Sequence, residues 1–463
     1  METELPGDLW PALPADIRAA GQDVARQGWR EIFDGVPGAS MQWRATRPLF
    51  MSRGHLDDLG RMSARLAQLV LDACRRRART AGDLAEVLGA RHDELPLMDL
   101  AAPLTDDLLI SMRPDVIYSG GVPKFVELNI EGGVGGTLQV DVLATRFMAA
   151  YAQALGASSP QGDGGPLRAP EPSVTARFAA IREAVGEAAG RLRVVIPVFG
   201  VGIVPGLQDP DRFIAWLGPM CQAGQALGFD TIAYRLDQMT LDDAGRLCAG
   251  DRPADLIIRL FLFSAQPPSA GTDAFASAVR AGTVAMHTPE VTCLLMDKRT
   301  LAWLWTDIDR LDVADQDLIR RHVPWTAYLP ERTPSDDPLV KRALDHRAGL
   351  VVKPADGHGG ADVTIGPGVS DQAWRDAVRK AADQGGYVVQ EYTAPDLTEI
   401  EFAHLDTGER RTAAVPFAIG PLMFGLRPSG VLVRHGAPDA DGGVLNLNYG
   451  ALPNTVLLID QPC

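Results

Sequence analysis

The sequence predicts an α/β protein, and three observations carry that expectation. From about residue 191, apolar strand-like runs (Arg193–Phe199, Thr231–Arg235, Leu256–Leu262) alternate with a helical stretch at Arg212–Leu227, the pattern of a small open α/β unit. Residues 1–110 ahead of it carry helical periodicity in Leu59–Leu71 and Ala81–Leu88, punctuated by prolines. Behind it, Gly349-Leu-Val-Val-Lys-Pro-Ala-Asp-Gly-His-Gly-Gly-Ala-Asp-Val363 reads as strand, glycine-rich loop, strand.

Composition narrows the class. At 463 residues, 46% of them apolar, the chain can bury substantial cores in about three domains. A formal charge of −15 with no basic stripe opposes a nucleic-acid surface, which needs clustered positive charge. No run approaches the ~20 apolar residues of a membrane span, and the first residues are acidic where a signal peptide is basic and then apolar, so a cytoplasmic protein without a membrane partner is expected. The cysteines (Cys74, Cys221, Cys248, Cys293, Cys463) are scattered without a Cys-x-x-Cys, suggesting neither a disulfide framework nor a zinc knuckle. Of 44 basic residues only five are lysine, and Lys298 and Lys353 fall in the motifs below.

In chain order, Arg44, Arg47 and Arg53 share a polar-aromatic segment and are expected on a solvated face, the alternative being that they face an acidic ligand. Met112–Gly136 is richer. It reads as a strand, a tight turn at Ser119–Pro123, a returning strand Lys124–Ile130, and the loop Gly132-Gly-Val-Gly-Gly136. Strand alternation puts Phe125, Glu127 and Asn129 on one face and Val126, Leu128 and Ile130 on the other, with Asp115 able to lie across from them. Two carboxylates and an amide oxygen on one face form an oxygen-rich set of the kind Mg²⁺ accepts; the competing reading is a hairpin with a solvated polar face. The glycine loop can hold a carboxylate or phosphate by its N–H groups, or is a turn.

A helical pattern resumes over 139–155, and Ser158–Pro172 is the best linker candidate. Gly200-Val-Gly-Ile-Val-Pro-Gly206 follows a strand and nearly spells a dinucleotide-binding fingerprint, but its last glycine comes late, Pro205 intrudes, and no acidic residue closes the next strand, so NAD or FAD is not expected. Asp297 can cap a helix with a buried stripe of Leu301, Leu304 and Trp305. Lys298 in that first turn opposes the helix dipole, which fits a lysine aimed at a ligand phosphate or a solvated one. In the 349–363 stretch, glycines let N–H groups approach an oxyanion and Lys353 adds a charge; the alternative is a glycine hairpin with a stray lysine. A helix is expected over Asp371–Gln384. The strand Tyr387–Pro395 has a polar exit that can present backbone groups to an adenine edge or is an ordinary strand end. Ser429–His435 and Leu445–Tyr449 read as alternating strands with Arg434, Asn446 and Asn448 on polar faces.

In this order the motifs resemble the ATP-grasp ligases, in their circularly permuted branch typified by glutathionylspermidine synthetase. Arg113-x-Asp115 and Glu127-x-Asn129 come ahead of the lysines, as in that branch; Asp297-Lys298 is similar to its first ATP lysine, Lys353–Val363 to its second lysine and phosphate-covering loop, Val389-Gln-Glu-Tyr392 to its adenine hinge, and Gly430-Val-Leu-Val-Arg434 to its late arginine strand. His358 and Gly359 stand where that loop usually carries Arg and Glu, and no amidase part is present.

The resemblance implies an α+β sandwich of ATP-grasp type, circularly permuted. Residues 1–104 would be a helical N-terminal region, 105–155 the permuted metal-binding part, 156–190 a linker and helix, 191–290 a small α/β domain, and 291–463 the nucleotide-binding domain. It implies ATP and Mg²⁺ as cofactors. Asp115, Glu127 and Asn129 would hold the metal; Lys298, Lys353, Gly357, His358, Gly359, Gly360, Gln390, Glu391 and Tyr392 would hold the nucleotide; Arg113 and Arg434 would hold the substrate carboxylate or the transferred phosphoryl group. The activity implied is a carboxylate–amine ligase acting through an acyl phosphate on small-molecule substrates, with an amino acid, peptide or polyamine as acceptor. A homodimer is the default assembly. A nucleotide-binding protein without catalysis and an ATP-dependent phosphotransferase are the alternatives.

Overall fold

The computed structural model describes residues 7–36, 42–91, 93–156, 166–186, 190, 192–200, 207–357, 359–439 and 443–459. Among these, the largest element is a seven-stranded antiparallel sheet built around one long strand, Arg410–Phe424. Its apolar second half, Val415 to Phe424, is buried nearly throughout because it is covered on both faces. The first half pairs with Leu397–His404, while the second half lies between Arg427–His435 and Ser111–Ser119. Ser111–Ser119 in turn pairs with Val122–Asn129, which has no further neighbour among the described residues and so forms an edge.

Residues from the two ends of the chain meet in this body. Trp43–Ala45 pairs with Leu397–His404, and Leu49–Ser52 runs parallel to Val456–Ile459. The helix Arg53–Arg75 follows; the Ser52 hydroxyl accepts from the His55 N–H to cap it, and Leu59, Leu66 and Val70 bury its apolar stripe in the main core. The N-terminal region thus supplies strands as well as the helices expected of it.

Four smaller sheets accompany it among the described residues, and the two four-stranded ones frame the rest of the architecture. Ala285–His287, Leu256–Ile258, Arg193–Val198 and Asp230–Arg235 form the small parallel sheet of the open α/β unit. The helix expected over 212–227 is divided into Pro210–Trp216 and Gly218–Ala226, because Pro219 cannot continue the hydrogen-bond ladder. The third sheet, in the order Thr326–Leu329, Tyr387–Glu391, Leu350–Pro354, Thr364–Ile365, is antiparallel and backed by Asp371–Gln384. Trp374 on that helix is 1% exposed and donates its indole N–H to the Ala343 carbonyl at 2.8 Å. No helix of the described residues is long and apolar enough to cross a membrane.

Several expectations are corrected. A bulge interrupts the Asp115–Val116 register, so Glu127 faces Asp115 but Phe125 faces Val116. Phe125 therefore joins Leu128 and Ile130 in the core instead of sharing a face with Glu127 and Asn129. The strand expected at Leu445–Tyr449 is a loop leading into the 3₁₀ turn Leu447–Tyr449, and the strand at 256–262 ends at Ile258. Arg44 and Arg47 are buried, not on a solvated face; Arg53 is exposed. Residues 158–165 of the linker candidate, 201–206 of the near-fingerprint, His358 and Cys463 lie outside the described residues; the other cysteines are free thiols.

Asp8 shows what fastens the chain start to the sheet. Its carboxylate accepts from Arg47 Nη2 at 2.9 Å, the Thr398 hydroxyl at 2.6 Å and the Trp10 and Phe50 N–H groups at 3.1 and 3.2 Å. The Arg47 guanidinium also lies over the Trp10 ring. Removing the carboxylate leaves a buried guanidinium without its counter-charge, which costs about 3–5 kcal/mol. Asp8→Ala is expected to lower the urea midpoint by that equivalent; a change under about 1 kcal/mol would assign the tether to the surrounding apolar packing alone.

Candidate functional site

Between the main sheet and the third sheet lies a cavity of about 630 Å³, and the two halves of the sequence deliver charged groups into it from opposite walls. One wall is the hairpin of Ser111–Ser119 and Val122–Asn129 together with Arg434 from the neighbouring strand; the other is Leu350–Pro354 with its glycine loop, Lys298, and the Tyr387–Glu391 strand. All the predicted site residues that the structure describes line this cavity. Beyond them it brings in Val126, Pro416, Ala418 and the 443–446 loop.

Asp115 and Glu127 are cross-strand partners, as are Arg113 and Asn129. Asp115 Oδ1 accepts from Arg113 Nε at 3.2 Å and from Arg434 Nη2 at 3.0 Å. Burial pushes the Asp115 carboxyl up, but the Arg434 and Arg113 guanidiniums overcome it and hold the group below the ordinary carboxylate range. Gly420 on the long strand makes room for this arrangement, since a Cβ there would meet Arg113 Cδ at 2.7 Å. The Asn129 amide nitrogen donates to the Arg113 carbonyl at 3.1 Å, which fixes the orientation of the amide. Arg434 Nε is a buried donor with no partner among the described residues.

On the facing wall, Lys353 is 7% exposed and donates to the Val126 carbonyl at 3.0 Å and to Gln390 Oε1 at 2.9 Å. Burial, reinforced by the nearby Lys298 charge and opposed by Glu127 and Asp115, brings its ammonium down to about 8. Lys298 pairs with Glu127 Oε1 at 3.1 Å and donates to the Gly357 carbonyl at 2.6 Å, pinning the start of the glycine loop. It stands just before the helix Arg299–Thr306, with Asp297 accepting from the Arg299 N–H at 2.8 Å. Of that helix's expected stripe, Leu301 and Leu304 are buried and Trp305 only partly so.

Gly359 and Gly360 have φ of +68° and +84°, the left-handed region that favours glycine. A Cβ on Gly360 would meet Val444 at 3.0 Å and Tyr449 at 3.2 Å, so the chain near the C-terminus packs directly on this loop. The Gln390 amide is committed to Lys353 and, at 2.9 Å, to Thr326 Oγ1. The Glu391 and Tyr392 N–H groups bond to the Trp325 and Gly349 carbonyls, leaving other atoms of these residues to face the cavity. The loop 132–136 offers carbonyls: Gly132 O accepts from Arg177 Nη1 at 2.7 Å and Gly135 O from Arg113 Nη1 at 3.0 Å.

The donor chemistry suits a hard divalent cation that keeps water and phosphate ligands. Asp115, Glu127 and Asn129 offer two carboxylates and an amide oxygen, and no cluster of three His, Cys, Asp or Glu occurs among the described residues. Arg113, Arg434, Lys298 and Lys353 outnumber the lining carboxylates Asp115, Glu127 and Glu391 by one charge, in a chain with a formal charge of −15. The cavity therefore carries a net positive lining around a small acidic island.

The sequence omitted two kinds of participant. Val126 acts through its carbonyl, which nothing in a side-chain pattern signals. The 443–446 loop was concealed by the alternation Leu445-Asn-Leu-Asn-Tyr449, although Gly442-Gly443 just before it is a loop signal.

The backbone resembles the structure of a glutathione synthetase like-effector from Globodera pallida in its apo form, with a TM-score of 0.58, 12% identity, and coverage of 96% of this chain and 98% of that one. The likeness is one of fold: a mixed α/β architecture with helices and several sheets. D-alanyl-alanine synthetase A from Vibrio cholerae O1 biovar eltor also matches, over 49% of this chain and 67% of that one, at 14% identity and a TM-score of 0.29. No family model and no curated protein matches the chain.

The Asp115 pairing has a defined pH signature. Because its folded value is lowered, its contribution to stability is fully present above the ordinary carboxylate value of about 4 and is lost as the pH falls through the lowered value. Asp115→Asn is expected to cost about 3 kcal/mol at neutral pH, since both guanidiniums stay charged. It should also make the acid limb of the stability curve shallower by the equivalent of one proton. Urea midpoints across that range check both, and an unchanged acid slope would contradict the pairing.

Proposed function

We propose that this protein is an ATP- and Mg²⁺-dependent carboxylate–amine ligase of the circularly permuted ATP-grasp branch, releasing ADP and phosphate. The observation that carries the reading is the convergence of Lys298, Lys353, Asp115, Glu127 and Asn129 on one cavity from opposite walls. The permuted order is supported by the topology: the early hairpin lies against the late strand Arg410–Phe424, and both face the lysines that come between them in sequence.

Bound Mg·ATP would supply the γ-phosphoryl group that converts a substrate carboxylate into an acyl phosphate with release of ADP; an amine attacking the acyl carbon would then expel phosphate, lose its proton and leave the amide. Asp115, Glu127 and Asn129 would hold the metal, which offsets charge between phosphates. The protein's own residues do the rest by position and charge. Lys298 and Lys353 would meet phosphate oxygens, and each is already oriented by a backbone carbonyl: Gly357 for Lys298, Val126 for Lys353. Lys353 donates two bonds to neutral acceptors in the fold and keeps its third proton for the ligand. Arg113 and Arg434 both reach Asp115 Oδ1, and the Arg434 Nε donor, unpartnered among the described residues, is suited to an incoming carboxylate or phosphoryl oxygen. Gly357, Gly359 and Gly360, with Val444 and Tyr449 packed on Gly360, would cover the phosphates and exclude water that would hydrolyse an acyl phosphate. Glu391 and Tyr392 line the end where the base would sit.

The test is ATP consumption with Mg²⁺ against pools of amino acids, peptides and amines, with ADP, AMP and phosphate read together and mass spectrometry of products. ADP and phosphate that depend on both an acid and an amine, with a product lighter than the pair by one water, is the expected outcome. AMP with pyrophosphate, or phosphate retained on an acceptor, would overturn it. Lys353→Ala and Glu127→Ala should each lower turnover by about a hundredfold or more in a folded protein; near-normal turnover would remove the site assignment. Since Lys353 loses its proton as pH rises through about 8, nucleotide affinity should weaken above that pH, and in Lys353→Met this dependence should flatten.

A further inference from the structure

The residues proposed to hold metal sit on an edge strand. Val122–Asn129 has a strand on one side only, and the bulge at Val126 loosens its register close to Glu127. Something besides the sheet must fix where this strand stands relative to the third sheet across the cavity. At its turn, Gly120 and Gly121 have φ of +59° and +74°, so the two-residue connection has the primed geometry open to glycine. N–H groups at the tip of such a turn have no ladder partner. Here both are taken by one side chain: Asp396 Oδ1 accepts from Gly120 N–H and Oδ2 from Gly121 N–H, each at 2.8 Å. The Asp396 N–H returns a bond to the Tyr118 carbonyl at 2.7 Å.

Asp396 lies just past the strand exit at the base end of the cavity, where Glu391, Tyr392, Thr393 and Pro395 are lining residues. Its three bonds therefore tie the base end to the hairpin that bears the acidic end. The hairpin's other flank is held by Lys124 Nζ on the Arg321 carbonyl at 2.6 Å and by His322 Nδ1 against the Pro123 carbonyl at 2.9 Å. Tyr118, which receives the Asp396 N–H, is fully buried and stacked on Phe417. That end of the clamp is rigid.

We infer that Asp396 is a positioning residue that sets the separation between the nucleobase end of the cavity and the Asp115/Glu127/Asn129 face, so that one nucleotide spans both. It touches no ligand itself and acts through the hairpin; the inference rests on the nucleotide reading of the cavity.

The test measures affinity for the β,γ-imido analogue of ATP with and without Mg²⁺, in wild type, Asp396→Ala and Asp396→Asn. Wild type is read first: failure to bind with Mg²⁺ would overturn the nucleotide reading itself, and this inference with it. Given binding, Asp396→Ala should lose about tenfold to a hundredfold of the Mg²⁺-dependent gain while metal-free affinity stays unchanged, the effect typical of outer-shell residues. Asp396→Asn keeps one acceptor oxygen and should fall between. In a Glu127→Ala background, Asp396→Ala should add nothing, because the two act through the same hairpin. An equal Mg²⁺ gain in wild type and Asp396→Ala, or additive losses in the double variant, would overturn the inference. Amide exchange in wild type gives a readout that needs no variant: the Gly120 and Gly121 N–H groups should be protected, and exchange at the rate of open loop amides would show that the clamp does not form.

Discussion

The Asp115 carboxylate, enclosed between two guanidiniums, is the interaction on which the rest of this molecule turns. A carboxylate taken from water is tolerated only with close counter-charge, and Arg113 and Arg434 supply it from two different strands. That requirement fixes much else. Gly420 must lack a side chain to admit Arg113. The late strand Arg427–His435 must lie within reach of an early hairpin, which holds chain ends far apart in sequence against one long strand. The sheet that results is as much a scaffold for this ion pair as a core.

The opposite wall follows a different logic. Lys353 is buried without a carboxylate in contact, and two neutral acceptors hold its ammonium instead. Neutral hydrogen bonds orient a charge without cancelling it, which leaves its field available to an anion. Lys298 has a carboxylate partner in Glu127 and, through the Gly357 carbonyl, holds the loop that would cover a phosphate. Thus Asp115 and Lys298 carry paired charge, while the Lys353 charge is held ready. A net positive lining in an otherwise acidic protein would favour an anionic ligand there.

Much of this was legible in the sequence because side-chain chemistry in a fixed order survives any arrangement of the backbone. A lysine at the end of an apolar strand and before glycines reads the same in the chain and in the fold. The Asp371–Gln384 helix was found to the residue, since Ser370 caps it and Gly385 ends it with positive φ. The errors came where backbone geometry overrode pattern. One unpaired residue at Val126 moved Phe125 into the core, against strict alternation. Leu445-Asn-Leu-Asn-Tyr449 alternates as a strand does, yet pairs with no strand among the described residues and turns instead. Arg44 and Arg47, placed on a solvated face by composition, are buried because the first strand joins the main sheet.

By itself the sequence determined the fold class and the chemical kinds of group at the site, because periodicity and residue type are local properties. Tertiary structure alone decided which charges meet. Lys298 against Glu127, Arg434 against Asp115 and Asp396 against the Gly120–Gly121 turn each join residues more than 150 positions apart, with no local signal marking one for the other. Partners so distant are chosen by the packing of sheets and by the cost of burying a charge or an N–H unpaired, and that cost is settled only when the whole chain has folded.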